Sequence, residues 1–499
     1  MGAFTYTDLI EVDLARLDQS ADHWRAVASK LERLRTDVYS GLVQLSDRAR
    51  WAGLNAIVTK DFVRASAKEV FDLHHEAKSI AAVLEDACGE LKHLQKRARQ
   101  LTAEARKGNP DRAEGPDPGL LVTDAGDGTV KVMEAFCDAD GASQRTKDMM
   151  QWYADTLTAL VSHAAEVDAA LTRALRRSHG SDPYNAGHAT YTSLDEDQIP
   201  RATRLASLGD RANAEQRAEL QRLWQSLSPS ARADLWLGHK NDLLAAGVFS
   251  PTVKQVAPDP GAGLYGTEKP GAADRRTREK MNLISEGADW MGMSDASRHM
   301  AHYLGNSGRD MTLPVDKMMS DDSAYRAYVD KAITSNEASW REQALQEFHQ
   351  NGGRPVAFPV ETQNLRDYSF PQETQQNWYY AVGSTRTNVT GVVTVVPDTN
   401  GQPQVSLDYQ VNAWDRYNWD ENKGVTIDGP AGVDMSIPDG DMARLHTVGT
   451  AKEFDMAGSS SVKHYDLGST TSPAPLPAPD EAGREGGRTD PGREQQKGR

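Results

Sequence analysis

The densest chemistry in this 499-residue chain lies in one run, Trp414-Asp415-Arg416-Tyr417-Asn418-Trp419-Asp420, followed by Asn422-Lys423. Two carboxylates, a guanidinium, an amide and three aromatic rings in seven residues suit a recognition or catalytic surface at the end of a strand. Asp415, Asp420 and, further along, His446 are the candidate catalytic groups, because an imidazole beside a carboxylate can act as a general base in hydrolysis. Paired carboxylates alone can also cleave a glycosidic bond. Trp414, Arg416, Tyr417, Asn418, Trp419 and Lys423 are the candidate binding residues. A plainer reading stands beside these: Asp–Arg pairing and ring packing can simply end a hairpin and anchor its loop. Upstream, His299 and His302 share a helix face at i, i+3, a spacing that can hold a metal ion. No carboxylate lies between them in the His-Glu-x-x-His manner and no third ligand is indicated, so they are read as structural or solvated. No metal or cofactor is assigned.

The elements that must position this run are β-rich. From about residue 354 helical periodicity gives way to alternation: Val389, Gly391, Val393 and Val395 lead into Pro397-Asp398-Thr399-Asn400-Gly401. Val405, Leu407, Tyr409 and Val411 then alternate with Ser406, Asp408, Gln410 and Asn412. This predicts an antiparallel hairpin with one buried and one polar face. Trp378-Tyr379-Tyr380-Ala381-Val382 predicts a preceding strand and Gly424-Val425-Thr426-Ile427 a following one. A helical turn through Met442 and Leu445 and strand-like segments at Glu453-Phe454-Asp455 and Ser461-Val462-Lys463 complete a module over 354–468. The tail, 469–499, begins with Pro473, Pro475, Pro477 and Pro479, cannot bury a core and is expected to be disordered.

The rest of the chain reads as helical. Apolar or small residues at Leu14, Leu17, Ala21, Trp24, Ala28, Leu31, Val38, Leu42 and Leu45 form one seam, with Leu34 beside it. Val70, Leu73, Ala77, Ile80, Leu84, Ala87, Leu91, Leu94, Ala98, Leu101 and Ala105 keep strict 3-4 spacing, the period of left-handed coiling. Between them Trp51-Ala52-Gly53 breaks the pattern, since glycine takes backbone angles that a side chain forbids, so the two helices fold back as an antiparallel pair. After Gly108-Asn109-Pro110, the stretches Leu120–Thr123 and Thr129–Val132 predict a small β-hairpin. A third helix with Met150, Tyr153, Leu157, Leu160, Ala164, Val167 and Leu171 completes a three-helix bundle over 1–178. Residues 179–200 read as a linker, 201–256 as a helical segment with Leu220, Leu223, Trp224 and Leu227 on one stripe, and 257–273 as a second linker. Residues 274–353 are helical again, with Ser294-Asp295 capping the helix that carries His299 and His302. The fold class is thus multidomain and mainly α, closing in an α+β module of antiparallel strands.

Composition narrows the function classes. With 38% hydrophobic and 26% charged residues, a net charge of −16 and no basic stripe, the chain is unsuited to non-specific nucleic-acid binding. No run of about 18 apolar residues predicts a spanning helix. Asp8, Glu11, Asp13 and Asp18 interrupt the first 25 residues, so an ordinary signal peptide is not expected. Cys88 and Cys137 could pair, but read better as buried free thiols.

A Trp-x-Gly turn between two amphipathic helices, here Trp51 to Gly53, resembles the WXG100 family, whose members are substrates or partners of type VII (ESX-like) secretion. The charged, Ala-rich second helix from Ala77-Lys78-Ser79-Ile80-Ala81 and the β-hairpin after it resemble longer actinobacterial proteins with such a module. The resemblance covers about the first 180 residues and implies a helical WXG100-type partner or a secretion component. The family's Tyr-x-x-x-Asp/Glu export signal has one candidate match, Tyr191 to Asp195, which the sequence places in a polar loop rather than at a helix end. Residues 416–455, including Met442-Ala443-Arg444-Leu445-His446, resemble the C-terminal module of an uncharacterised actinobacterial family. A helical head with a distinct C-terminal module is laid out like a polymorphic toxin, which implies an immunity-type partner. The expectation is therefore an exported protein, released without a signal peptide to the outside or the cell surface, whose C-terminal module is an effector or binding end. A non-enzymatic interaction protein of the envelope or cytoplasm and a hydrolase using Asp415, Asp420 and His446 are the alternatives.

Overall fold

The computed structural model describes residues 4–50, 53–108, 117–135, 143–179, 190–251, 262–362, 367–419, 424–428, 434–468 and 476–479. The chain is multidomain and α+β, and it divides into two compact units, Met1–Val248 and Phe249–Arg499.

In the first unit α1 (Tyr6–Glu11) is closed by a capping box between Thr5 and Asp8. Then α2 (Leu14–Val38), a π-helical turn (Tyr39–Val43) and α3 (Gln44–Arg48) make one long arm. The returning arm, α4 (Leu54–Lys107), runs 54 residues, roughly 80 Å at 1.5 Å per residue. Asp47 pairs with Arg64 at 2.8 Å, Arg25 with Glu85 at 2.6 Å and Asp18 with Lys92 at 2.9 Å. Numbers that fall on one arm as they rise on the other confirm the antiparallel hairpin. Gly53 opens α4 at φ +97°, a left-handed angle that an L side chain resists; Trp51 lies outside the described residues. Strands β1 (Leu120–Asp124) and β2 (Val130–Glu134) form the expected hairpin, and α5 (Gln144–His179) packs on α4. Ile80, Val83, Leu84, Ala87 and Leu91 are all buried. Burial at such close spacing means that this half of α4 is covered from more than one side.

Part of the expected linker 179–200 is ordered core. Helix α6 (Asp195–Ala206) begins inside it and holds Pro200, while Tyr191 and Leu194 join the α2–α4–α5 core. Tyr191 is therefore buried, with its N–H donating to Ser79 Oγ at 2.7 Å, and Asp195 is the first residue of a helix. This corrects the placement of the pair in a polar loop. The reason is electrostatic as well as apolar. Asp197, with a fully buried side chain, accepts from Arg173 and Arg177 at 2.9 Å, and Arg201 reaches Glu166 at 2.8 Å and Glu219 at 2.7 Å. That network ties α5 to α6 and to α7 (Ala214–Ser226). Helix α8 (Pro229–Ala245) starts where expected, with Ser228 as N-cap and Pro229 at its first turn, and sets Trp236 against Trp224 at 5.9 Å.

In the second unit α9 (Ala272–Trp290), α10 (Ser294–Leu304), β3 (Met311–Thr312), α11 (Val315–Asp321) and α12 (Ser323–Gln350) precede the strands. Next come β4 (Val356–Glu361), β5 (Tyr368–Ser369), α13 (Gln376–Ala381), β6 (Ser384–Pro397) and β7 (Pro403–Tyr417). The unit closes with β8 (Gly424–Asp428), β9 (Asp434–Pro438), α14 (Asp439–Thr447), β10 (Phe454–Ser459) and β11 (Lys463–Asp466). The sheet runs β3-β10-β7-β6-β4, with β11 on β7 and β5 on β6; among the described residues only the β3–β10 pair is parallel.

The expected β6–β7 hairpin forms at the centre, with Val389 opposite Val411 and Val393 opposite Leu407, turned by Asp398, whose carboxylate accepts from Asn400 and Gln402 N–H. Its polar face is not solvated, however. Thr390, Asp408 and Asn412 are buried, and Asn412 Nδ2 donates to Asn388 Oδ1 and Thr390 Oγ1, both at 3.0 Å. Polar side chains that bond one another tolerate burial. Trp378–Ala381 is a helix, α13, where a strand was expected; a short aromatic run has no periodicity to separate the two. Trp378 is buried, and its Nε1 donates to Asp321 Oδ2 at 3.1 Å. The boundary expected at 353/354 also differs: Tyr325, Val329, Ile333 and Phe348 of α12 share one core with Val356, Val393, Leu407 and Met442. Part of the expected second linker is strapped to α14, with Gly266 N–H donating to His446 O at 3.2 Å and Glu268 N–H to Thr447 O at 3.0 Å. The tail lies outside the described residues except 476–479, of which Leu476 packs against the core.

Candidate functional site

Two places carry the sequence-derived candidates, one in each unit. In the first unit the hairpin changes character along its length. From Ala77 onward α4 is buried, but between Leu54 and Glu76 its one buried residue is Ala56. There Leu54 (76% exposed), Ile57, Val58, Phe62 (70%), Phe71 and Leu73 stand out from α4. Leu34, Tyr39, Leu42 and Leu45 are exposed on the facing arm, two of them in or beside the π-helical turn. These side chains lie on the two arms of the hairpin on either side of the turn at Gly53. The seam residues Leu42 and Leu45, expected in the core, are thus at the surface.

In the second unit the described part of the run, 414–419, is partly or fully buried. Trp414 and Tyr417 are buried on β7, Asp415 sits opposite Met456, and Asp420 and Lys423 lie outside the described residues. Tyr417 stacks on Phe454 at 5.1 Å, with Trp419 at 6.0 Å, Tyr303 at 5.8 Å and His299 at 6.2 Å. Burial pushes the Tyr303 and Tyr417 phenols up, so both stay protonated. His299 and His302 do not converge: His299 Nδ1 lies 2.6 Å from Ala381 O and His302 Nε2 lies 2.8 Å from Arg309 O. The cap of their helix comes from far away, Asn377 Oδ1 accepting from Asp295 and Ala296 N–H at 3.0 and 3.1 Å. Among the described residues no group of three or more His, Cys, Asp and Glu side chains could hold a metal ion.

His446 is buried on α14. Its Nδ1 accepts from Glu453 N–H at 3.2 Å, which leaves Nε2–H to donate to Gly263 O at 3.2 Å. Both nitrogens therefore serve backbone groups, and this imidazole has no lone pair left for a substrate proton. The group that sequence reasoning passed over is Glu453, whose side chain is fully buried and joins the candidates. Its carboxylate accepts from Arg416 Nη2 at 3.3 Å and from Ala262 N–H at 2.9 Å. Tyr265 packs edge-on to His446 at 5.4 Å, and Arg444 clasps Glu268 at 2.6 Å and Asp274 at 2.8 Å. The signal available beforehand was a carboxylate at the start of the strand-like Glu453-Phe454-Asp455, where burial demands a cationic partner. Arg416, Glu453 and His446 thus form a clamp that holds the 262–268 segment on α14. Trp414 Nε1, Tyr417 Oη and Trp419 Nε1 are buried without a hydrogen-bond partner among the described residues.

Cys88 is a free, buried thiol and Cys137 lies outside the described residues. Among the described residues no helix is long and apolar enough to cross a membrane. No family model, curated protein or solved structure matches this chain.

Proposed function

We propose that this chain is a substrate of a type VII-like export system, received through its N-terminal hairpin by a helical partner or a secretion component, and that its second unit is a binding module. The observation that carries the reading is the apolar tip: ten large hydrophobic residues exposed on α2–α4 around the turn at Gly53, beyond the point where α5 covers α4. A hairpin that leaves its seam uncovered over several turns has the geometry to complete a bundle with another amphipathic helix. The resemblance of the Trp51–Gly53 turn to WXG100 proteins supplies the kind of partner; of the candidate signal, Asp195 opens α6 and Tyr191 is buried ahead of it, so recognition is assigned to the hairpin. Binding is favoured over hydrolysis in the second unit because both nitrogens of His446 are engaged by backbone.

The test is export of the full chain from an actinobacterium with and without working type VII machinery, beside a Leu42→Glu, Phe62→Glu double variant. Both residues are exposed, so the variant keeps its melting temperature. The wild-type chain is expected in the medium only when the machinery works, with the variant retained in the cell. Release that is indifferent to the machinery, or to the substitutions, would overturn the reading.

A further inference from the structure

The tail returns to the second unit in a specific way. Leu476-Pro477-Ala478-Pro479 lies against a surface cavity lined by Met319, Arg326, Val329, Tyr409, Val411 and Lys463, and Pro477 and Pro479 themselves form part of its wall. Every residue of that segment is a proline or precedes one, so its backbone is held extended, without internal hydrogen bonds and with its carbonyls free to accept. The surface answers that chemistry. Arg326 Nη2 lies 3.5 Å from Leu476 O and 3.4 Å from Pro477 O, two successive carbonyls met by one guanidinium. Asp330, 3.6 Å from Arg326 Nε, steadies the fork, and Lys463 is held aside by Asp316 at 3.1 Å. Tyr409 gives an aromatic wall, Met319, Val329 and Val411 an apolar floor, and Leu476 packs on the core beside them. An aromatic and apolar groove with donors aimed at peptide carbonyls is how extended proline-rich chains are recognised.

We propose that this groove is a recognition site for proline-rich extended peptide, and that the chain's own Leu476–Pro479 segment occupies it in cis, so that a ligand of the same chemistry must displace the tail. Only seven residues separate Gly468, whose carbonyl lies 3.4 Å from Arg341 Nη1, from Leu476. A tether that short holds the segment at an effective concentration on the order of millimolar, enough to mask a groove of modest intrinsic affinity.

The probe is a fluorescent peptide with the sequence of residues 472–480, titrated by polarisation against full-length proteins up to about millimolar concentration. A tail variant, Leu476→Ser, Pro477→Ser, Pro479→Ser, is expected to bind it at least tenfold more tightly than the wild-type chain. Adding Arg326→Ala to the tail variant is expected to weaken binding at least fivefold, and a peptide with all four prolines replaced by serine to bind neither. Pro479→Ser alone, the milder substitution, gives an intermediate gain if the triple variant loses its fold. Equal binding by wild-type and tail-variant chains, or none by a tail variant with wild-type melting temperature, would overturn the proposal. So would a dimer in the wild type that dissociates in the tail variant, since the occupant would then be the tail of a second copy.

Discussion

His299 makes a single side chain answerable to pH. It is buried on α10 with Nδ1 donating to Ala381 O at 2.6 Å, among the rings of Tyr417 and Phe454, and among the described residues Nε2 has no partner. Burial, helped by the Arg298 and His302 charges against the opposing pull of the Ala381 carbonyl and Asp295, brings its pKa down to about 4. The folded state therefore binds fewer protons than the unfolded chain between pH 4 and the ordinary histidine value near 6.5. Stability from this site is present above about pH 6.5 and is lost as the pH falls toward 4. The wild-type chain is expected to lose about 2 kcal/mol more than His299→Gln between pH 7 and 4.5, read from urea unfolding at each pH. An equal loss in both would mean that the ring is solvated or charged in the fold. The spacing of His299 and His302 was legible as a shared helix face, but their opposed hydrogen bonds depend on Ala381 and Arg309, which no i, i+3 rule contains. In the same way the sequence marks His446 and Arg416 as candidate site residues, while their common partner Glu453 emerges only once β7 and β10 are paired.

At the scale of elements, local pattern carried far where period and turn chemistry agreed. The β6–β7 hairpin, the β1–β2 hairpin, the Ser228-Pro229 start of α8 and the hairpin break at Gly53 could all be read because each is settled by residues within a few positions. The failures have a distant cause: α13 is helical because Trp378 buries against α11, and α10 takes its cap from Asn377. Another distant constraint yields a prediction. A Cβ at Gly458 on β10 would sit 2.0 Å from Leu313 O and within 3.0 Å of Leu313 C and N, backbone atoms fixed by the Leu313 N–H to Ala457 O bond at 3.0 Å. Neither strand can yield without breaking the parallel β3–β10 pair. Gly458→Ala is expected to cost about 3 kcal/mol in urea unfolding, the upper range for overpacking. A loss below about 0.5 kcal/mol would show that the β3 edge moves freely.

Across the whole molecule, composition announced a multidomain, mainly helical chain, but domain limits drawn from changes of periodicity were displaced. Periodicity reports which face of an element is buried and is silent on what covers it, so 274–353 and 354–468 read as separate modules although they share a core. Tyr325 on α12 shows how closely they are joined, its hydroxyl 2.9 Å from Thr387 Oγ1 on β6, as does Tyr303 on α10, which donates to Met442 O at 2.7 Å. Cutting the chain at residue 353 would strip Tyr303, Tyr325, Trp340 and Phe348 from the sheet. Loss of even three buried aromatics costs on the order of 10 kcal/mol, which equals the whole stability of a typical domain. Residues 249–499 are therefore expected to melt cooperatively with an ordered near-ultraviolet circular dichroism spectrum, whereas 354–468 should aggregate or remain a loose state without one. The contrast also decides how toxicity must be tested. Growth arrest has to be sought with 249–499, because silence from the shorter fragment would report an unfolded sheet and leave its activity unmeasured. If 354–468 instead folds with the stability of the longer piece, the helices α9–α12 are a cover laid over a self-sufficient module, and the shared core is less cooperative than its packing implies.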